Sequence, residues 1–385
     1  MGLARTRRVV GVLATLGTLL MAAAPVAHAD AARDKQWPLQ AYDAASKIWP
    51  ITTGKGQIVA VIDTGFRTTH VDLVGQFLPG KDFAPKSYNE AANASHGTMM
   101  ASLIAGHGHG AGDSDGIMGL APGAKILPLV VDLQDKDNDQ EIAGAIRYAV
   151  GHRADVINMS LGDGVPSLAE QSAIAYAEAR NVVLVAASGN DGIESDTYPA
   201  SYPGVVDVGG ANQDGTIWSG SDYSPHIVLT APAGNVLGDN SGTDTQYALG
   251  NGTSSASAYV SAAAALVRAR FPGLTAGQVI NRLIKTADDP GQVSPDPHYG
   301  YGIARPERAL VASVPAGPAR GPLAQAGDPL ASSAVSSPPL ALTTGASASN
   351  GVLWFSASAA LAAGCLVVLG AVLLRGRQRA RGRKR

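Results

Sequence analysis

Short, unbroken apolar runs punctuate the middle of the chain. Segments 57–62, 126–131, 155–159, 182–186, 205–208 and 227–229 are rich in β-branched residues and bounded by Gly, Pro or Asp. Continuous rather than alternating hydrophobicity predicts strands buried on both faces. Between these runs, segments 99–105, 140–150, 168–179 and 256–270 carry helical periodicity. Strands alternating with helices predict an α/β fold, with a parallel sheet covered on both sides. Sites in such sheets lie beyond the carboxyl ends of the strands, so chemistry is to be sought there.

The two ends of the chain follow other patterns. Arg5, Arg7 and Arg8 precede an apolar run that closes on Ala27-His28-Ala29, the layout of a secretory signal peptide (1–29) cut after Ala29. Residues 30–53 form a short extension ahead of one large folded unit, 54–312, in which no internal repeat is visible. Residues 313–350 turn to Pro, Ala, Ser and Gly and are expected to act as an extended linker, too poor in large apolar groups to fold. Residues 351–374 carry no charge; at about 1.5 Å per residue they suffice to cross a hydrocarbon core of about 30 Å, as one transmembrane helix. The tail 375–385 has seven basic residues and no acid, which keeps it cytoplasmic and the folded unit outside the cell membrane.

This tail also masks a charge asymmetry. The formal net charge of the whole chain is −2, so the exported part is clearly acidic, which argues against a nucleic-acid partner. The single cysteine, Cys365, falls inside the proposed span. The folded unit therefore has no disulfide and depends on core packing.

Three polar motifs stand at strand ends or helix starts. VIDTG ends the first strong strand at Asp63, SHGTMMASLIAG puts His96 at the mouth of an apolar helix, and NGTSSASA sets Ser254 and Ser255 where a Gly-rich turn becomes a helix. Singly, each has a bland explanation: a turn Asp, a helix-start His, an N-cap Ser. Together, in the order Asp, His, Ser, they resemble the subtilisin-like serine proteases. NMSLG (158–162), AASGNDG (186–192) and HYGYGIARPERAL (298–310) extend the resemblance over nearly the whole folded unit.

The resemblance implies a subtilisin-like three-layer fold with a mostly parallel central sheet flanked by helices. It implies a catalytic triad of Asp63, His96 and Ser254. The family frame Gly-Thr-Ser-x-Ala-Ser falls on 252–257, which makes Ser254 rather than Ser255 the nucleophile. A serine hydroxyl needs a base within about 2.6–3.2 Å, the role of His96, and Asp63 would fix the tautomer of that base. The Asn190 amide and the Ser254 N–H would form the oxyanion hole. Ser160, Leu161 and Gly162 resemble the strand that pairs with an extended peptide, and Thr197 resembles a residue at the base of the pocket for the side chain before the cut. Where the family usually continues with Pro-His, Ala258-Tyr259 stands here.

Other clusters are given plainer roles. Asp132, Asp135, Asp137 and Asp139 lack the glycine and glutamate of a calcium loop, so Asp139 is expected to open a helix. His107-Gly108-His109 is expected to be a solvent-facing loop, with no third metal ligand nearby in sequence. His70 resembles a structural position of the family near Asp63. No metal and no cofactor is therefore expected.

The segment from Arg33 to Phe66 resembles the N-terminal extension of the mycosins, membrane-anchored subtilases associated with type VII secretion, although the cysteine pairs of many mycosins are missing. The resemblance implies a serine endopeptidase acting on a peptide or protein substrate, processing exported proteins, and joined to a type VII secretion membrane complex. The alternative is a mainly structural component that stabilises such a complex, with proteolysis secondary.

Overall fold

The computed structural model describes residues 31–325 except 87, 136, 137, 292 and 293, all within the first of two compact units, Met1–Ser336 and Ser337–Arg385. The expected signal peptide, the transmembrane span, the basic tail, Asp137 and the linker beyond Gln325 lie outside the described residues. Among the described residues, no helix is long and apolar enough to cross a membrane.

Along the chain run strands β1 (Ile58–Asp63), β2 (Lys81–Asp82), β3 (His107–His109), β4 (Asp115–Met118), β5 (Lys125–Val130), β6 (Val156–Met159), β7 (Val183–Ala187), β8 (Val205–Ala211), β9 (Ile227–Pro232), β10 (Val236–Asn240) and β11 (Gln246–Gly250). The helices are α1 (Ala31–Asp34), α2 (Trp37–Ala41), α3 (Glu90–Ala105), α4 (Asn138–Gly151), α5 (Leu168–Glu178), α6 (Thr253–Arg270), α7 (Ala276–Thr286) and α8 (Pro306–Ala309), with a π-helical turn at Ala44–Ile48. Seven strands form one sheet in the order β2-β5-β1-β6-β7-β8-β9, and each of its pairings is parallel. Two antiparallel ribbons, β3–β4 and β10–β11, stand apart from it.

The strands are apolar throughout because successive side chains feed opposite cores. Val59 and Val61 point into a core shared with α3, α6 and α7, while Ala60 and Ile62 point into a second core shared with α4 and α5. That is the expected three-layer arrangement. The alanine-rich α6 is buried along nearly its whole length, and its small side chains let it lie against β6, β7, β8 and β9.

Several boundaries differ from expectation. α3 starts at Glu90 rather than near residue 99, because Asn89 caps it by accepting from the Ala92 N–H; its first two turns are polar and lack the apolar signal. His96 therefore stands inside the helix and not at its mouth. α6 starts at Thr253, three residues before its apolar face becomes visible. His107–His109 is not a loop but strand β3, and α7, which was not predicted, carries a complete Thr275/Gln278 capping box. From Ser313 to Gln325 the Pro/Ala-rich segment does not hang free. Asn281 donates to the carbonyls of Pro315 and Ala316, Gln278 to that of Gly317, and Thr275 to that of Ala319.

The N-terminal extension is held without disulfides. Leu39, Tyr42, Ala44 and Ile48 join the first core, Gln36 exchanges two hydrogen bonds with Met118 (2.8 and 3.0 Å), and the Trp37 and Trp49 indoles donate to the Gly234 and Leu120 carbonyls.

Candidate active site

Parallel register aligns the ends of three adjacent strands. Ile62 pairs with Met159, and Met159 with Ala186, so Asp63, Ser160 and Ala187 follow at one level. α3 approaches this edge closely because residue 97 is glycine: a Cβ there would lie 2.3 Å from the Gly65 carbonyl oxygen and 3.0 Å from the Asp63 Cβ. The preceding residue, His96, is thereby delivered onto Asp63. His96 Nδ1 is 2.9 Å from each carboxylate oxygen. Asp63 is held in turn by the Thr64 N–H (2.7 Å) and hydroxyl (3.2 Å), both donating to Oδ1.

A carboxylate facing Nδ1 accepts its proton, which leaves Nε2 as the lone-pair nitrogen of the neutral ring. The His96 side chain is 43% exposed against 2% for Asp63, so the ring keeps an open edge. Burial opposes the imidazolium charge, but the charge and hydrogen bond of Asp63 outweigh it, and the His96 pKa is raised above its ordinary value.

Ser254 is fixed at the start of α6 by a buried polar ladder. Asn158 Nδ2 donates to Ser160 Oγ (2.9 Å), Ser160 and Ser257 hydroxyls lie 2.8 Å apart, Ser257 donates to the Ser254 carbonyl (2.9 Å), and Ser261 donates to Asn158 Oδ1 (3.0 Å). The Ser254 hydroxyl donates to the Ser160 carbonyl at 3.4 Å, a long bond that one rotation about its own Cα–Cβ bond would release. It makes no hydrogen bond to His96 in this structure. Catalytic hydrogen bonds are often loose before substrate binds.

The orientation of Asn190 follows from its partner. Its Oδ1 accepts from the Thr253 N–H (2.9 Å) and hydroxyl (3.1 Å). A backbone N–H can only donate, so the side-chain NH2 must face the other way. The Ser254 N–H, in the first turn of α6, likewise lacks an intrahelical acceptor.

His96, Ser160, Leu161, Gly162, Asn190, Thr197 and Ser254 line one cleft of about 470 Å³. Thr197 is buried beneath Gly162, whose Cβ, if present, would lie 2.7 Å from the threonine methyl. Every site residue expected from the sequence is thus brought to one place. Ser255 is buried in the helix and lines no part of it, and none of the described extension residues does either. His70 faces Asp239 and the Gln246 carbonyl rather than Asp63. Asp139 lies in the first turn of α4 and accepts from the Ser167 hydroxyl.

Residues 54–302 match the model of the Subtilase family. The chain belongs to that family. It is 37% identical to the thermophilic serine proteinase of Bacillus sp. (strain AK1), over 57% of this chain and 54% of the relative, and so spans about half the length of that protein. With subtilisin BL of Lederbergia lenta it shares 35% identity over 67% of this chain and 91% of the relative. Among solved structures it resembles MycP1 from the ESX-1 type VII secretion system, with a TM-score of 0.65 and 28% identity, covering 74% of this chain and 88% of that one. The expected serine endopeptidase of the subtilase family, with its likeness to the mycosins, is borne out.

Within this subtilase the sequence left one organising residue unseen. Asp222 Oδ1 accepts from the Asp191 and Ile193 N–H groups (2.9 and 3.1 Å), shaping the loop that carries Asn190. Gly189 adopts φ +117° there, and a Cβ would lie 2.1 Å from Asp222 Oδ2. Asp222 stands in no motif, so only the fold could have shown it.

Proposed function

We propose that this subtilase cleaves peptide bonds of exported proteins through Asp63, His96 and Ser254, with Asn190 and the Ser254 N–H stabilising the oxyanion. The observation that carries this is His96 Nδ1 bound to both oxygens of buried Asp63, in the same cleft as a serine at a helix start. Ser254 Oγ attacks the scissile carbonyl carbon while His96 Nε2 takes its proton. The C–O bond forms as the carbonyl π bond opens to an oxyanion. Collapse breaks the C–N bond, and His96 returns the proton to the leaving amine. Water, deprotonated by the same nitrogen, then hydrolyses the acyl-enzyme. Asp63 stabilises the imidazolium at both stages without itself becoming protonated.

The substrate enters as an extended strand beside residues 160–162, which continue past β6, with the side chain before the cut directed toward Thr197. The exported protein is anchored by residues 351–374, and the likeness to MycP1 supports a place beside a type VII secretion complex.

Fluorophosphonate labelling of the full chain tests the nucleophile. Wild type and Ser255→Ala are expected to label and Ser254→Ala to remain unlabelled. A wild type that fails to label would move the structural alternative ahead, and labelling lost only in Ser255→Ala would overturn the assignment.

The pH profile tests the base. His96 must be neutral to accept a proton, and its raised pKa means that kcat/KM falls to half its plateau at a pH above about 6.5, the ordinary imidazole value. The same pair stabilises the fold at pH below the unfolded value, and that contribution is lost as pH rises through the folded pKa. A half-maximal point below 6.5, or a flat profile from pH 5 to 8, would count against this assignment.

A further inference from the structure

Away from the cleft, the loop after β1, the β3–β4 ribbon and the β10–β11 hairpin converge on three buried side chains, His70, Asp72 and Asp239. One donor atom from each lies within 4.8 Å of the other two. His70 Nε2 is 3.1 Å from the Gln246 carbonyl, which can only accept, so Nε2 carries the ring hydrogen. Nδ1 accepts weakly from the Asp72 N–H at 3.4 Å. Nδ1 also lies 3.0 Å from Asp239 Oδ2, so a proton bridges the two groups when no metal is bound, and a metal ion entering there would displace it. Apart from His70, no group donates to either oxygen of Asp239, although the residue is 1% exposed. Asp72 is better supplied: Oδ2 accepts from the Ile117 N–H (2.8 Å), and Oδ1 faces His109 Nδ1 at 2.6 Å. Among the described residues, no lysine or arginine is paired with either carboxylate.

Two buried carboxylates converging on one imidazole carry more negative charge than a single ring proton offsets, and the spacing of the three donor atoms leaves a place where a metal ion would neutralise it. We propose that His70 Nδ1, Asp72 and Asp239 bind a divalent transition-metal ion of the zinc class. Mixed imidazole and carboxylate donors suit zinc, and a carbonyl holding the other ring N–H is the usual outer partner of a metal-bound histidine. Gln246 supplies that carbonyl, and the half-exposed His109 orients Asp72 from outside. The fourth position falls to water or to the second Asp239 oxygen. The ion is structural: it ties the loop that follows Asp63 to the hairpin that leads into Ser254, a clasp in a domain without disulfides. The sequence concealed it because the ligands come from distant segments.

The test uses the full chain carrying Ser254→Ala to suppress self-cleavage, stripped with a chelator and dialysed against zinc chloride. One zinc per chain by elemental analysis is expected, with a Tm rise of roughly 5 °C at saturating zinc. Asp239→Asn and His70→Gln should each lose both the zinc and the shift. His109→Ala, at a partly exposed position, should weaken zinc affinity by about 10–100-fold. Failure of the stripped parent chain to take up zinc overturns the proposal, whatever the variants do. So does stoichiometric zinc in a folded Asp239→Asn chain, or uptake of calcium alone that is indifferent to His70→Gln.

Discussion

Ser254→Ala and His96→Ala are each expected to lower kcat by about 10⁶-fold, and the double variant to lose no more than either single one. That magnitude is the one measured for the subtilisin triad itself. The two groups act as a unit: without His96 the serine hydroxyl is a poor nucleophile at neutral pH, and without Ser254 the base has nothing to activate. Asp63→Asn should cost less, about 10⁴-fold, because it leaves both reacting groups present but lets the ring turn to the wrong tautomer. Steady-state kinetics on a peptide substrate, with the fold checked by circular dichroism, decides the matter. Additive losses in the double variant would mean that His96 and Ser254 do not share one proton transfer. A residual rate in the double variant is expected, since the oxyanion donors and the peptide-binding edge remain.

The grouping of Asp63, His96 and Ser254 was legible in the sequence because Asp63 stands at a strand end and Ser254 at a helix start, positions that parallel register brings to one edge, although His96 lies inside α3 rather than at its mouth. Asp63 could be placed from the end of an apolar run alone. The start of α3 could not, because its capping residue Asn89 opens two polar turns with no apolar rhythm. α7 escaped notice despite its Thr275/Gln278 capping box, whose spacing alone was a readable signal. What stayed hidden are contacts between residues far apart in the chain. The Asp222 carboxylate shapes a loop thirty residues earlier, and Tyr42 of the extension meets Tyr259 of α6 edge-on at 6.1 Å. No local pattern encodes either pairing. The departure from the family at Ala258-Tyr259 acquires a physical reason in that contact: a buried aromatic ring there gives the extension something to pack on.

Replacing Asn190 by Ala is expected to lower kcat by about 10²–10³-fold, or about 2.7–4 kcal/mol of transition-state stabilisation, with KM little changed. The scale comes from a subtilisin, and the geometry here supplies the reason it should transfer. Thr253 holds the amide oxygen, so the NH2 is set toward the cleft before substrate arrives, and no reorganisation is needed as negative charge develops. Alanine also removes the acceptor for the Thr253 N–H, a helix-start bond worth about 1 kcal/mol of stability, so a second variant is needed to separate the two losses. Asn190→Asp keeps the shape and the acceptor but replaces the NH2 with a carboxylate oxygen. It should retain the Tm of the parent chain at neutral pH while losing more kcat than alanine, because it sets a negative charge where the oxyanion forms. If Asn190→Asp were as active as wild type, the amide would not be an oxyanion donor, and the Ser254 N–H would have to act with another partner.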